Sequence, residues 1–206
     1  MPEAASTPAP QRLRTGAGKI QGSAFDPAEW AAIVDGDQHA FGRLVRRSHG
    51  HLYRMLHGLL RGHDPAEEVA QLTWIKVWRA RKSFRGKASL QTWIFRIGTR
   101  TAFDWMRQRG RHRQHVAEDD PETALNHSVD KHPDGARRAE LSESQRAIEA
   151  AIRSLSPNLR AVVTLREIEG LSYEAIASVL GCRVGTVMSR LHAARQQLKQ
   201  ALQSYR

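Results

Sequence analysis

The sequence predicts an all-α protein of two small helical domains joined by a flexible linker, the second of them a helix-turn-helix. Three observations carry this prediction. Apolar residues recur at three- and four-residue spacing in every periodic segment. The helix-start pattern Asp-Pro-x-Glu occurs twice, at Asp26 and at Asp64. No segment alternates apolar and polar residues as a half-buried strand would. We predict a disordered tail over 1–25, a first domain over 26–109, the linker over 110–140 and a second domain over 141–206.

Charge is the strongest compositional signal. The 206 residues are 40% hydrophobic, enough for globular cores, and carry a formal net charge of +11. Residues 26–111 hold sixteen Lys/Arg against eight Asp/Glu, 112–140 four against seven, and 141–206 nine against five. Two basic blocks therefore flank an acidic spacer. This pattern predicts contact with a polyanion at two separate places, although basic surface alone also fits RNA or a membrane periphery.

The compartment predicted from the sequence is the cytoplasm. One cysteine, Cys182, excludes an intramolecular disulfide, and we expect it to act as a small buried apolar residue. No stretch approaches the roughly 18 apolar residues of a membrane span. The first 25 residues are rich in Ala, Pro, Ser, Thr and Gly and lack the apolar run of a signal peptide, so we expect them to be disordered.

Four helices are predicted in the first domain. The first begins at the Asp26 cap and ends near Gly36, and the second runs from Asp37 to about Gly62. The third starts at Asp64 and ends among basic residues near Lys82. Its expected buried residues are Val69, Leu72, Ile75, Val77 and Trp78.

The fourth helix, capped by Ser89 and expected to end near Gln108, mixes aromatic side chains with arginines. A short loop with the sequence FRGK precedes it at residues 84–87. Aromatic planes beside arginines can hold unstacked bases and neutralise their backbone. For Phe95, Phe103 and Trp105 core packing is the simpler explanation. For Trp93 packing and base contact are both open.

The second domain contains two helices and then the helix-turn-helix. Periodicity resumes at Leu141, and Ser156-Pro157 starts the next helix, with Ile168 among its packing residues. Ser172 caps the first helix of the motif and Gly181 ends it. The second helix buries Val184, Val187, Met188 and Leu191. Its opposite face carries hydrogen-bond donors for phosphates or base edges, at Arg183, Thr186, Ser189, Arg190 and Arg195. A helical hairpin with a solvated basic face is the alternative.

In their order and spacing, these pieces resemble the extracytoplasmic-function sigma factors of bacterial RNA polymerase, which keep only the second and fourth sigma regions. The resemblance covers about residues 30–109 and 141–202. In the first domain it rests on AEEVAQLTWIKVWRARKSFRGKASLQTWIFRIGTRTAFDWMRQ, and in the second on LSPNLRAVVTLREIEGLSYEAIASVLGCRVGTVMSRLHAARQQL.

The resemblance implies three sets of site residues. The set for docking on the clamp helices of the polymerase's largest subunit is Glu67, Glu68, Gln71, Lys76 and Trp78. The set for reading and melting the minus-10 element is Phe84, Arg85, Lys87, Ser89, Trp93, Arg96 and Arg100. The set for the minus-35 helix-turn-helix is Ser172, Tyr173, Gly181, Arg183, Thr186, Ser189, Arg190 and Arg195. Two positions depart from the family pattern: Leu72 stands where an acidic residue is common, and Arg183 where proline is common.

The implied function is that of an alternative sigma factor, which binds core RNA polymerase and promoter DNA and is held inactive by an anti-sigma factor. Nothing implies a cofactor, a bound metal or membrane insertion. A helix-turn-helix repressor or activator that works without polymerase is the main alternative. Catalysis is disfavoured because the chain has no P-loop, GxSxG, HExxH or His/Cys zinc spacing. The ten histidines leave open a metal-sensing role.

Overall fold

The computed structural model describes residues 26–119 and 143–203, with side chains for 26–111 and 146–203. Over this part of the chain it contains helices and no strand, as the sequence predicts. The tail over 1–25 and most of the predicted linker lie outside the described residues. The helices are α1 Pro27–Asp35, α2 Gln38–Leu60, α3 His63–Ala80, α4 Leu90–Asp119, α5 Glu143–Ser154, α6 Pro157–Val163, α7 Tyr173–Leu180 and α8 Val184–Leu202. A 3₁₀ turn at Arg81–Ser83 and a π-helical turn at Thr164–Ile168 complete the elements.

The first two helices begin where their caps predict. Asp26 Oδ1 accepts a hydrogen bond from the amide of Ala28 at 2.9 Å, and Asp37 Oδ1 accepts from those of His39 and Ala40. Gly36 ends α1 in the left-handed conformation. The carboxylate of Glu29 fastens α1 to α2, since it receives hydrogen bonds from Arg43 Nε at 3.3 Å and Arg47 Nη1 at 3.0 Å.

We predict that Glu29→Gln lowers the free energy of unfolding by about 1 kcal/mol at pH 7, because a paired carboxylate that is largely buried is lost. The hydrogen bond from Arg47 lowers the pKa of Glu29 below its usual 4.5. Its contribution is therefore complete above that pKa and disappears as the pH falls through the lower folded value. Urea unfolding at pH 7 and at pH 3 measures both effects. The Glu149–Arg153 pair, in which the glutamate side chain is 46% exposed against 12% for Glu29, gives the control, Glu149→Gln, which should change stability by less than 0.5 kcal/mol.

Helix α3 differs from the prediction in two ways. It begins at His63, after an N-cap at Gly62 that has no side chain to cap it. The predicted start at Asp64 is therefore wrong by one residue. Asp64 instead lies in the first turn, where a carboxylate interacts favourably with the helix dipole. Leu72 and Ile75, predicted to be buried, are 39% and 48% exposed. The buried stripe consists of Ala66, Val69, Ala70, Thr73, Trp74 and Val77.

Helix α4 begins as predicted and ends later. Ser89 Oγ accepts from the amide of Thr92 at 3.1 Å and so caps it. The helix continues to Asp119, so the predicted end near Gln108 is wrong and residues 110–119, assigned to the linker, are helical. A single interior glycine, Gly110, costs only about 1 kcal/mol and does not stop a helix. Phe95 is buried in the core, whereas Phe103 and Trp105 are half-buried.

The second half follows the predicted order of helices. Ser156 precedes α6, but its side chain accepts no capping hydrogen bond, and Pro157 occupies the first helical position. Two residues predicted to be buried are exposed instead, Ile168 at 47% and Met188 at 51%. Met188 follows the buried Val187 directly, and one residue along a helix turns the side chain by about 100°. It therefore lies at the edge of the apolar stripe.

The two halves pack against each other. Helix α4 contacts α7, and α2 contacts α6 and the π-helical turn. One continuous hydrophobic core contains Leu56 and Phe95 from the first half and Leu155 and Ile176 from the second. No local pattern in the sequence indicates this contact, because it joins helices that lie far apart along the chain. Among the described residues no helix is long and apolar enough to cross a membrane.

Candidate functional site

The helix-turn-helix consists of α7, a tight turn and α8. Ser172 Oγ accepts from the amide of Ala175 at 3.2 Å and caps α7. Gly181 ends it with φ of 64°, a left-handed conformation that glycine adopts without steric cost. Helix α8 begins after Arg183, which acts as N-cap without a side-chain hydrogen bond. Val187 and Leu191 lie on the inner face of α8 and are buried. The opposite face of the helix is therefore turned to solvent.

That outer face carries hydrogen-bond donors within reach of a ligand, although Ser189 Oγ donates to the carbonyl oxygen of Thr186 at 3.1 Å in this structure. Arg183 and Ser189 are exposed, Thr186 and Arg190 are half-buried, and neither arginine pairs with a carboxylate of the described chain. Arg195 is different: its Nη2 lies 2.9 Å from Glu167 Oε1, and this carboxylate raises the pKa of the guanidinium. The ring of Tyr173 is half-buried under the guanidinium of Arg166, 5.0 Å from its centroid.

The loop over residues 84–89 is anchored by an aromatic cluster formed by Trp30, Phe84 and Trp93. The ring centroids of Trp30 and Phe84 are 5.2 Å apart, those of Trp30 and Trp93 5.8 Å, and those of Phe84 and Trp93 5.4 Å. Trp30 is 8% exposed and supports the other two rings from α1. Phe84 and Trp93 therefore both pack in this cluster, and contact of Trp93 with a base stays a prediction. Each is only half-buried and keeps part of its surface for a ligand.

Next to this cluster lies a basic surface. Arg96 and Arg100, one turn apart on α4, are exposed and make no ion pair with the side chains of residues 26–111 or 146–203. Arg85 and Lys87 in the loop are also exposed, as is Ser89, the cap of α4. Farther along α4, Arg107 pairs with Asp104, and the Arg109 guanidinium lies 5.0 Å from the centroid of the Trp105 ring. The N-terminal half of the helix combines unpaired arginines with aromatic rings.

Helix α3 presents a third surface with a mixed character. Glu68, Gln71, Leu72 and Ile75 are all exposed, and the spacing places Glu68, Leu72 and Ile75 on one face. Glu67 is half-buried, accepts a hydrogen bond from Gln71 and lies 3.7 Å from His49 Nε2. Lys76 Nζ donates to Thr101 Oγ1 at 3.1 Å.

Trp78 is not part of this exposed face. It is half-buried, packs against Phe41, and lies 4.1 Å beneath the guanidinium of Arg81.

The sequence analysis missed two features of these surfaces, the role of Trp30 and the exposure of Leu72 and Ile75. Trp30 was not singled out, although a tryptophan in a short capped helix beside the buried Ile33 was an available signal. Only a weak signal in the sequence indicated that Leu72 and Ile75 are exposed. Leu72 stands at a position where an acidic residue is common in the family. No three His, Cys, Asp or Glu side chains in the described residues are arranged to hold a metal ion.

Comparison with known proteins identifies the family. Residues 44–112 match Sigma-70 region 2 and residues 145–198 match Sigma-70, region 4. The RNA polymerase sigma-H factor of Pseudomonas aeruginosa is 37% identical over 174 residues, which cover 83% of this chain and 90% of that protein. The ECF RNA polymerase sigma-E factor of Haemophilus influenzae is 35% identical over 185 residues, covering 86% and 95%. The chain belongs to the extracytoplasmic-function sigma factors.

Solved structures agree with this assignment. The sigma factor RpoE of Bartonella quintana, in complex with the anti-sigma factor NepR, is 29% identical with a TM-score of 0.63, covering 81% of this chain and 98% of that one. CnrH in complex with the cytosolic domain of CnrY is 25% identical with a TM-score of 0.63, covering 86% and 96%.

This sigma factor therefore directs RNA polymerase to promoters, and it is not an enzyme. Sigma factors bind core RNA polymerase and promoter DNA, so the predicted partners of these two kinds are confirmed at that level. The alternative of a repressor that acts without polymerase is wrong, because it would leave the region 2 match without a role.

Proposed function

We propose that this sigma factor reads the minus-35 element with α8, reads and opens the minus-10 element with the loop over 84–89 and α4, and docks on the polymerase through α3. The observation that carries the proposal is the presence of two exposed arginine surfaces without carboxylate partners, one on each half of the chain. Both lie on helices whose opposite faces are buried in the core.

At the minus-35 element, the N-terminal part of α8 is the reading surface. A helix-turn-helix inserts its second helix into the major groove with N-terminal residues on base edges. Arg183, Thr186, Ser189 and Arg190 are available for this role, whereas Arg195 must exchange its partner Glu167 for a phosphate. Ser172, Tyr173 and Gly181 hold the motif in shape.

At the minus-10 element, Arg85, Lys87, Arg96 and Arg100 neutralise the DNA backbone, and the exposed parts of Phe84 and Trp93 stack on unpaired bases. Energetics limits what this surface does alone. Opening about ten base pairs costs roughly 14 kcal/mol at about 1.4 kcal/mol per step. Stacking a base on an aromatic ring returns only about 1–3 kcal/mol. The remaining stabilisation has to come from the polymerase.

The docking surface for the clamp helices of the polymerase's largest subunit is the exposed face of α3. Glu67, Glu68 and Gln71 provide polar contacts at its N-terminal end, and Leu72 and Ile75 add apolar area that the chain leaves in water. An exposed apolar stripe bordered by polar residues is typical of a protein interface. Lys76 and Trp78 support the helix from its sides through Thr101 and Phe41.

We predict that the double variant Leu72→Ala and Ile75→Ala weakens binding to core polymerase by about 10-fold or more, because roughly 1.4 kcal/mol or more of apolar contact is lost. Fluorescence anisotropy of a labelled chain titrated with core enzyme measures it. The thermal midpoint should stay unchanged, since both side chains are exposed. The variant Leu72→Met with Ile75→Leu keeps the apolar area and should bind like the parent. Equal binding by the alanine variant would remove Leu72 and Ile75 from the interface.

An anti-sigma factor completes the proposal. One solved neighbour is a complex with the anti-sigma factor NepR and the other a complex with the cytosolic domain of CnrY, and the matches to them cover more than four-fifths of this chain. A partner that covers the α3 surface would block docking on the polymerase. We also place the protein in the cytoplasm, because both of its proposed targets, the polymerase and the chromosome, are there.

Run-off transcription from a genomic library, with core polymerase and with or without the chain, tests the function. New start sites that depend on the chain support it and reveal the promoter motif, whereas an unchanged transcript profile contradicts it. Permanganate footprinting of the same promoters adds a sharper expectation. Single-stranded thymines should appear with polymerase and sigma factor together and should be absent with the chain alone.

A further inference from the structure

We propose that His49 is a positioning residue for docking on the polymerase: held by Trp74, its imidazole orients the carboxylate of Glu67 on the α3 surface. This inference rests on the proposed docking role of α3. His49 lies on α2 and belongs to none of the three sets of site residues that the sequence implies. It acts through Glu67.

A hydrogen bond from α3 fixes the imidazole of His49. Trp74 is 7% exposed and belongs to the hydrophobic core, so the surrounding side chains hold its indole ring in place. Its Nε1 lies 3.3 Å from His49 Nδ1 and donates to it. An indole nitrogen only donates, so His49 Nδ1 accepts, and in the neutral imidazole the proton is on Nε2. The buried tryptophan therefore selects which ring nitrogen of His49 carries the hydrogen.

The ring of Tyr53 restrains the same imidazole from the side. Tyr53 lies one turn farther along α2, and its ring stacks on His49 with centroids 6.2 Å apart and planes inclined by 26°. The Tyr53 hydroxyl makes a 2.6 Å hydrogen bond with Nδ1 of His63, the first residue of α3. The stacked pair is thus connected to both helices, which limits the orientations that His49 can adopt.

The other ring nitrogen of His49 faces the docking carboxylate. Nε2 lies 3.7 Å from Glu67 Oε2, which is longer than a direct hydrogen bond but close enough for electrostatic attraction. Glu67 Oε1 accepts a hydrogen bond from Gln71 Nε2 at 3.3 Å. The carboxylate is therefore restrained by α2 on one side and by the next turn of α3 on the other. Its side chain remains 38% exposed and accessible to a partner.

Glu68 shows the difference that these contacts make. It follows Glu67 directly on α3, is exposed, and forms no ion pair with the side chains of residues 26–111 or 146–203. A long side chain that becomes ordered only on binding reduces the affinity, because its rotamer freedom is lost at that moment. Glu67 is already ordered in the free protein, so its contact with the polymerase carries less of this cost.

Two substitutions at His49 separate its two contacts. Asparagine places an acceptor near the position of Nδ1 and keeps the contact with Trp74, but it is too short to reach Glu67. Glutamine is longer and brings its amide towards Glu67. In fluorescence anisotropy of the full chain titrated with core polymerase, His49→Asn should weaken binding about 5-fold and His49→Gln should restore most of it. A residue that only stabilised the fold through Trp74 would give the reverse order, and that order would overturn the inference.

His57 provides the matched control. Its ring also packs against Tyr53, at 5.8 Å between centroids, but it lies about two turns farther along α2 than His49. His57→Asn should bind core polymerase like the parent chain. A loss equal to that of His49→Asn would show that any histidine beside Tyr53 has the same effect, and would overturn the specific role of His49.

A double-mutant cycle with Glu67 identifies the group through which His49 acts. Glu67→Gln should weaken binding about 10-fold, and His49→Asn should add less than about 2-fold in that background. Equal losses in both backgrounds, or parent-like binding by His49→Asn alone, would overturn the inference and leave docking through α3 intact. Parent-like binding by Glu67→Gln would instead overturn the docking role of Glu67 and this inference with it.

Discussion

Reversing both arginines of the basic surface, with Arg96→Glu and Arg100→Glu, is expected to reduce promoter opening at least 100-fold. Each arginine contact to DNA contributes about 1–3 kcal/mol, and reversal adds repulsion, so the pair is worth about 2.8 kcal/mol or more. Neither side chain is buried or paired within the described chain, so the fold should be unaffected. Permanganate reactivity of the minus-10 thymines in the presence of core polymerase measures the loss.

The matched control keeps the charge. Arg96→Lys with Arg100→Lys should retain most of the opening if backbone neutralisation is the main role, and should lose sequence preference if the flat guanidinium reads bases. Binding to core polymerase should be the same for all three proteins, because neither arginine belongs to the α3 surface. A charge-reversed protein that opens promoters normally would show that α4 does not contact the opened strand.

The second large effect is expected at Trp30. Replacing it with alanine should destabilise the protein by about 3–5 kcal/mol, which for a chain of this size lowers the thermal midpoint by roughly 10 °C. The reason is that Trp30 is nearly buried and supports both Phe84 and Trp93. Without it, the loop over 84–89 loses its support. We expect promoter opening to fall even at temperatures where Trp30→Ala remains folded.

Trp30→Phe distinguishes the aromatic contact with Phe84 and Trp93 from the volume that the tryptophan side chain fills. Phenylalanine keeps an aromatic edge for the two neighbouring rings, and most of the opening activity should return with it. Circular dichroism melting and permanganate footprinting at 20 °C provide the two readouts. If Trp30→Ala melts early but opens promoters like the parent at 20 °C, the cluster stabilises the fold and has no part in shaping the recognition loop.

Much of the fold could be predicted because local signals determine it. The caps at Asp26, Asp37, Ser89 and Ser172 fix helix starts through side-chain hydrogen bonds a few residues away, and these are readable from the chain. Helix ends were harder. The extension of α4 past Gly110 shows that one weak breaker is outweighed by the neighbouring helix formers.

The errors in burial have a different origin. Leu72, Ile75 and Met188 are apolar at nearly helical spacing, yet which side of a helix is covered depends on where the neighbouring helices lie. The spacing of apolar residues gives the width of the buried stripe on a helix but not the position of its centre. The contact between the halves was unpredictable for the same reason. The residues around Gly58 and around Thr164 give no indication that these two positions meet. The arginine surfaces were predictable because charge opposite a buried face needs no knowledge of other elements.

The length of α4 changes where the second half is tethered. The residues that follow Gln108 extend the helix by about 16 Å at about 1.5 Å per residue, so the tether leaves from the tip of a stiff arm. From Asp119 to Glu143 the chain can span at most about 80 Å. The position of α4 on the minus-10 element would thus set an upper limit on how far along the DNA the start of α5 can lie.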